Sequence, residues 1–248
     1  MANVNRQTAP LHDLDTMYVT SHFTNDVAST EITATTTDAG TVAVNDGLGG
    51  IITLTPSDGT VADNDEVYIA TANQLFQFAV NRPLFGICRL KFTETTSSVY
   101  NAGFGFQNAV GANTLIDDGG GPKVSGSTLA IVKIDNTTVW RCYSACNGVA
   151  TVSISTKTAI STDFQVLEID CIDANDNTNM TVCFYVNDEP LRDSTGARIR
   201  HSVPIANSAL MSMWAGAKLG AATNNDLLLV DYWHGQQSIR STNLAFVS

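Results

Sequence analysis

Residues 164–188 read FQVLEIDCIDANDNTNMTVCFYVND, two strand-length runs around a polar turn. In the first run Leu167, Ile169 and Cys171 fall on one side, and Glu168 and Asp170 on the other, because successive strand side chains alternate. In the second run Val182, Phe184 and Val186 share a side. Facing the two apolar sides in antiparallel register sets Cys171 beside Val182, Ile169 beside Phe184 and Leu167 beside Val186. Cys183 then points away from Cys171, which predicts two free thiols and no bridge between them.

The same alternation recurs outward from this hairpin. In LFGICRLKFTE, Cys88, Leu90 and Phe92 oppose Arg89 and Lys91. GGIITLTP is a run closed by Pro56. EVYIATA, LFQFAV, VYNAGFGFQ, TLAIVKI, TVWRCYS and ATVSIS are further strand-length runs, and LMSMWAGAKL and DLLLVDYWHG are long apolar ones. Gly103 and Gly105 between aromatics suggest a bulge or a close backbone approach. DNT between TLAIVKI and TVWRCYS is a hairpin turn. TEITATTTDAGTVAVNDGLGG reads as exposed strand and turn, and IDDGGGPK as a loop. No helix longer than a turn or two is predicted. Some dozen short strands with turns every ten residues or so predict an all-β, two-sheet antiparallel sandwich. The domain is expected over residues 23–240, behind an extended N-terminal arm of residues 1–22 and before a tail of residues 241–248. Within the arm, PLHDLDTMYV could form one short helical turn.

Composition narrows the function. The chain has 248 residues, 44% of them hydrophobic, so a substantial core is within reach. Charged residues are only 15%; Thr, Ser, Asn and Gly supply the polarity, which suits strands and turns. A net charge of −11 repels phosphate backbones and argues against nucleic acid as a partner. Arg198, Arg200 and His201 form one tight basic cluster, read as a solvated loop or subunit contact. The N-terminus carries no apolar stretch of the secretory kind, and no run of about 18 apolar residues could span a membrane. Folding in a cytoplasm is expected. The five cysteines, Cys88, Cys142, Cys146, Cys171 and Cys183, are odd in number and lack zinc spacing, so all are expected to be reduced.

Chemistry-bearing motifs are few. Glu168, Asp170 and Asp173 stand one residue type away from E-x-D-x-x-E, and so resemble the acidic signature of β-sandwich glycanases. Two carboxylates two residues apart on a strand, about 6.6 Å along it, could flank a glycosidic bond. The third position is Asp, not Glu, and DANDN places it in the turn. A sugar site also needs aromatic platforms, for which Trp140, Trp214 and Trp233 are available. The simpler expectation is that the acids line the wet side of a half-exposed strand. Asp173, Asn175 and Asn177 match the opening of a calcium loop, but Thr178 and Phe184 stand where Gly and Glu are required. A looser oxygen site with Asp117 or Asp118 is the remaining metal reading. His12, His22, His201 and His234 are isolated in sequence. No nucleophile-elbow, zincin or phosphate-loop motif is present. The expectation is therefore no enzyme, no catalytic or metal residues and no cofactor.

MTVCFYVNDEPL resembles the strand and turn of concanavalin-like, laminin-G-type jelly rolls. GGIITLTPSDGTVADNDEVYIATANQLFQFAVNRPLFGICRLKF and VDYWHGQQSIR resemble the opening and closing strands of tailed-phage virion proteins of the capsid-decoration or cement type. The resemblance spans roughly residues 45–240. It implies a jelly-roll subunit, often a homotrimer, bound to the major capsid protein on the outer surface of a head and assembled in the host cytoplasm. Two other functions share the fold: a carbohydrate-binding lectin-like module, and a glycanase using Glu168 and Asp170. Exposed Trp on one sheet face would favour the first of these, and carboxylates converging in a cleft the second. A flat apolar patch beside an ordered arm would favour capsid docking.

Overall fold

The computed structural model describes residues 16–23, 31–38, 40–45, 50–95, 99–117, 119–173, 178–222 and 225–238. Among them every regular element is a strand. The first six are β1 (Thr16–Ser21), β2 (Ile32–Thr36), β3 (Thr41–Asn45), β4 (Ile51–Thr55), β5 (Glu66–Thr71) and β6 (Leu84–Phe92). Then come β7 (Tyr100–Gln107), β8 (Leu115–Ile116), β9 (Gly121–Pro122), β10 (Thr128–Lys133), β11 (Val139–Cys146) and β12 (Val149–Thr158). The last six are β13 (Gln165–Asp173), β14 (Asn179–Val186), β15 (Glu189–Pro190), β16 (Arg200–Pro204), β17 (Ser212–Leu219) and β18 (Leu228–Ser238).

Sixteen of them form two large antiparallel sheets, and β8 and β9 pair in a small two-stranded one. One has nine strands, ordered β15-β14-β13-β6-β18-β4-β3, with β1 also on β18 and β16 also on β14. The other has seven, ordered β12-β11-β10-β7-β17-β5-β2. The predicted hairpin forms in the predicted register: Leu167 opposite Val186, Ile169 opposite Phe184 and Cys171 opposite Val182. Cys183 lies opposite Asp170, so its side chain and that of Cys171 leave the sheet on opposite sides. All five cysteines are free and buried.

The inward faces meet in one core. From the nine-stranded sheet come Cys88, Leu90, Ile169 and Phe184; from the seven-stranded sheet come Phe104 and Ile131. Alternation along β6 is complete: Leu84, Gly86, Cys88, Leu90 and Phe92 are buried, and the residues between them half-buried. Gly103 and Gly105 are where the close approach occurs. A Cβ at Gly103 would collide with Val132, and one at Gly105 with the backbone of Leu129 and Ala130.

Two expected boundaries change. Residues 16–21 are not arm or helical turn but β1, paired along the second half of β18. Met17 and Val19 pack against the core, and this two-residue alternation in a polar segment is enough to seat a strand on an available edge. Residues 1–15 and the tail lie outside the described residues. LFQFAV is not a strand either. Phe76 makes a single bridge to Met211, while Gln237 and Ser208 side chains take the N–H groups of Gln77 and Phe78 at 2.9 and 3.1 Å. Those side chains satisfy the backbone where a neighbouring strand otherwise would.

Candidate functional site

The acidic strand face is not wet at its centre. Glu168 lies between Ile87 of β6 and Tyr185 of β14 and is only 3% exposed. Asp170 lies between Phe85 and Cys183 and is half-buried. Period-two alternation gives the side a residue takes, not what flanks it, and bulky neighbours on both strands shield this glutamate. Burial raises the Tyr185 hydroxyl above its ordinary pKa, with Cys183, Asp170 and Glu168 pushing the same way. The two acids stand mid-sheet with paired strands on either side. Asn175, Asn177 and Asp118 lie outside the described residues. Among those described, no group of three His, Cys, Asp or Glu side chains is placed to hold a metal ion.

The outward face of the nine-stranded sheet carries rings and hydrogen-bonding groups in rows. One row runs Arg200, Cys183, Asp170, Phe85, Gln236 and Tyr18. The next runs Tyr185, Glu168, Ile87, His234 and Thr20. Beside them Tyr232 pairs with Arg89. Tyr18 is 57% exposed, and Phe85, Tyr185, Tyr232 and His234 are half-buried. The His234 ring is held between Thr20 Oγ1 at 2.5 Å and Gln236 Oε1 at 3.3 Å. His22 leans on Tyr232 with centroids 5.9 Å apart, and Phe85 on His234 at 6.3 Å. Arg89 is fixed by an ion pair to Asp231 and lies over the Phe164 ring at 4.3 Å. Rings with an apolar body and a polar edge, interleaved with amides, acids and an anchored guanidinium, can stack on a flat polar ligand and hydrogen-bond its rim.

The outward face of the seven-stranded sheet is covered over its central strands, while β12 at one edge stays exposed. Residues 108–117 and 119–124 fold back over it, including the β8–β9 hairpin, and Leu115 packs on Tyr68, Trp214, Ala130 and Val132 in a second apolar cluster. The loop is pinned by charge. Lys218, fully buried, reaches Glu66 at 3.5 Å, Asn113 Oδ1 at 2.6 Å and Asp117. The Tyr68 hydroxyl donates to Glu66 at 2.8 Å and accepts the Leu115 N–H at 3.1 Å, while the Asn113 N–H reaches Glu66 at 2.8 Å. All three tryptophans are 0% exposed: Trp214 beneath this loop, Trp140 and Trp233 in the inter-sheet core. None of the three candidate Trp platforms therefore reaches the surface. Asp117 serves Lys218 here.

The basic cluster divides. Arg198 and Arg200 are exposed as expected, but His201 is buried, its ring between Ser144 Oγ at 2.8 Å and Ser153 Oγ at 3.0 Å. It joins β16 of one sheet to β11 and β12 of the other. Burial lowers its pKa to about 4. Nothing local in the sequence marks it, because both partners lie about fifty residues away.

No family model and no curated protein matches the chain. Solved structures do. A protein of unknown function from Shewanella oneidensis superposes with a TM-score of 0.58 at 11% identity, over 92% of this chain and 89% of that one. Arcelin-5, a lectin-like defence protein from Phaseolus vulgaris, gives 0.56 at 8% identity, over 91% and 100%. An endo-1,3-β-glucanase from Streptomyces sioyaensis gives 0.51 at 13%, over 93% and 99%. At these identities the likeness is one of fold. It establishes the concanavalin-like jelly-roll sandwich expected from the sequence, and lends no support to the virion part of that resemblance.

Proposed function

We propose that the chain is a lectin-like, non-catalytic carbohydrate-binding module whose ligand face is the outward side of the nine-stranded sheet. The observation that carries the reading is the rows of half-exposed rings, Tyr18, Phe85, Tyr185, Tyr232 and His234, interleaved with Gln236, Asp170 and Arg89 on one open face. Sugar rings present apolar C–H faces and hydroxyl rims, which such a surface complements. Lectin-like neighbours in fold are consistent with this reading. Hydrolysis fits the geometry less well: Glu168 is shut between Ile87 and Tyr185, and a glycosidase acid must reach the leaving oxygen.

A glycan array followed by calorimetry tests the proposal. Selective binding is expected at about 10 µM to 1 mM, with no release of reducing ends from the bound glycan. Hydrolysis lost in a Glu168→Gln, Asp170→Asn variant would replace it with the glycanase reading. Absence of binding across neutral, acidic and amino-sugar glycans would remove it.

A further inference from the structure

The seven-stranded sheet ends in an edge that the described chain leaves half covered. β11 and β12 are joined by the two-residue turn Asn147-Gly148, with φ of 49° and 78°, both in the left-handed region. Such a turn closes on a hydrogen-bonded pair, here Cys146 with Val149. Bonded and non-bonded pairs then alternate, so Val149, Thr151 and Ser153 bond inward to β11. Ala150, Val152, Ile154 and Thr156 therefore turn their N–H and C=O groups outward. Thr156 confirms the phase: its N–H donates to the Arg192 carbonyl at 2.9 Å, on the outer side. From Ala150 to Ile154 nothing among the described residues takes the outward groups.

Exposed edges are ordinarily blunted by Lys, Pro or a bulge. Residues 149–154 read VATVSI, with no charge and no Pro, and the irregularity in the β11–β12 pairing lies beyond Ile154. The side chains of Val152 and Ile154 are 49% and 54% exposed. Two limits bracket the open stretch: the turn at Asn147-Gly148 and the Arg192 segment at Thr156.

We propose that this edge pairs antiparallel with β12 of a second copy about a two-fold axis through Val152, joining two seven-stranded sheets into one. In that register Val152 meets Val152 of the other copy and Ile154 meets Ala150. This register joins all three outward residues of each copy to those of the other. Pairing stops at Ile154, because Arg192 of the same chain holds the outer side of Thr156, and the turn at Asn147-Gly148 ends the other copy's strand at that point. No like charges are juxtaposed, and Lys157 falls opposite Asn147. A free peptide could use the same edge, but the match between the length of open edge and the distance to the turn favours a second copy. The interface is small, and each chain carries a net charge of −11. Association is therefore weak and strengthens as salt screens the repulsion. The inference does not depend on the ligand proposed above.

Sedimentation velocity from about 5 to 500 µM, at low and high salt, tests it. The expected result is a reversible shift from 26.4 kDa to twice that mass, favoured by salt. Val152→Lys, at an exposed position, should weaken dimerisation at least tenfold with an unchanged circular dichroism spectrum. Val152→Pro, which removes an outward donor but no bond to β11, should do the same. A native protein that stays monomeric, forms trimers or open-ended polymers, or dimerises equally well as Val152→Lys would overturn the proposal.

Discussion

The two outward faces of this sandwich are built from equally regular strands and end in opposite states. On the nine-stranded sheet the rings of Tyr18, Phe85 and Tyr232 stand at the surface among polar groups. On the seven-stranded sheet Tyr68 and Trp214 are sealed under the segment that carries Val110, Leu115 and Val124, and the charges of Glu66 and Lys218 are sealed with them. The difference comes from one connection, the chain between β7 and β10, which folds back over its own sheet. An aromatic residue's type therefore says little about its use here. Trp214, one of three tryptophans that could have offered a stacking platform, is structural, whereas Tyr18 is exposed in a segment that reads as a polar arm.

If the closed face is held by its buried charges, Lys218→Met should be the most damaging change. It strands Glu66, 2% exposed, without its cation, and breaking such a pair costs about 3–5 kcal/mol. A urea midpoint lowered accordingly would show it; a loss below about 1 kcal/mol would mean that the Tyr68 and Asn113 bonds suffice. Next comes Leu115→Ala, which removes the apolar anchor of the same loop. A cost of about 2–4 kcal/mol is expected, together with new acrylamide quenching of Trp214.

Between the faces, His201 ties one sheet to the other as a neutral ring. With its folded pKa lowered to about 4, the unfolded chain takes up a proton below pH 6.5 that the folded chain refuses. Stability should fall as pH drops from about 6.5 to 4, by up to about 3 kcal/mol from this group. A His201→Gln variant, titrated by urea unfolding at pH 7, 5.5 and 4.5, should lose that part of the pH dependence. An identical slope would place the acid sensitivity elsewhere.

The hairpin of β13 and β14 was legible residue by residue because two apolar runs of period two admit one register. β1 was not, because Met17 and Val19 are its only aliphatic side chains in a run of Thr, Tyr and Ser, and its seat depends on an edge of β18 more than 200 residues away. The burial of Glu168 escaped for a different reason: alternation names a side, while shielding comes from neighbours on β6 and β14. The closed face escaped as well. IDDGGGPK has the composition of a solvated loop, and only a position above Tyr68 and Trp214 turns Leu115, the residue just before it, into a core residue. The ring-bearing outward face of the nine-stranded sheet could have been anticipated in part from Tyr232, His234 and Gln236, which alternate with Trp233 and Gly235 along β18.

The smallest expected effect on folding carries the greatest weight for function. Tyr18→Ala should change stability by no more than about 0.5 kcal/mol, since exposed substitutions rarely do more. The decisive measurement is calorimetric titration of the best array glycan into native protein and into a Tyr18→Ala, Tyr232→Ala double variant. Saturable binding to the native chain and at least a tenfold loss in the folded variant are expected. Equal affinity in both proteins would place the ligand elsewhere and contradict the assignment of the nine-stranded sheet as the binding face.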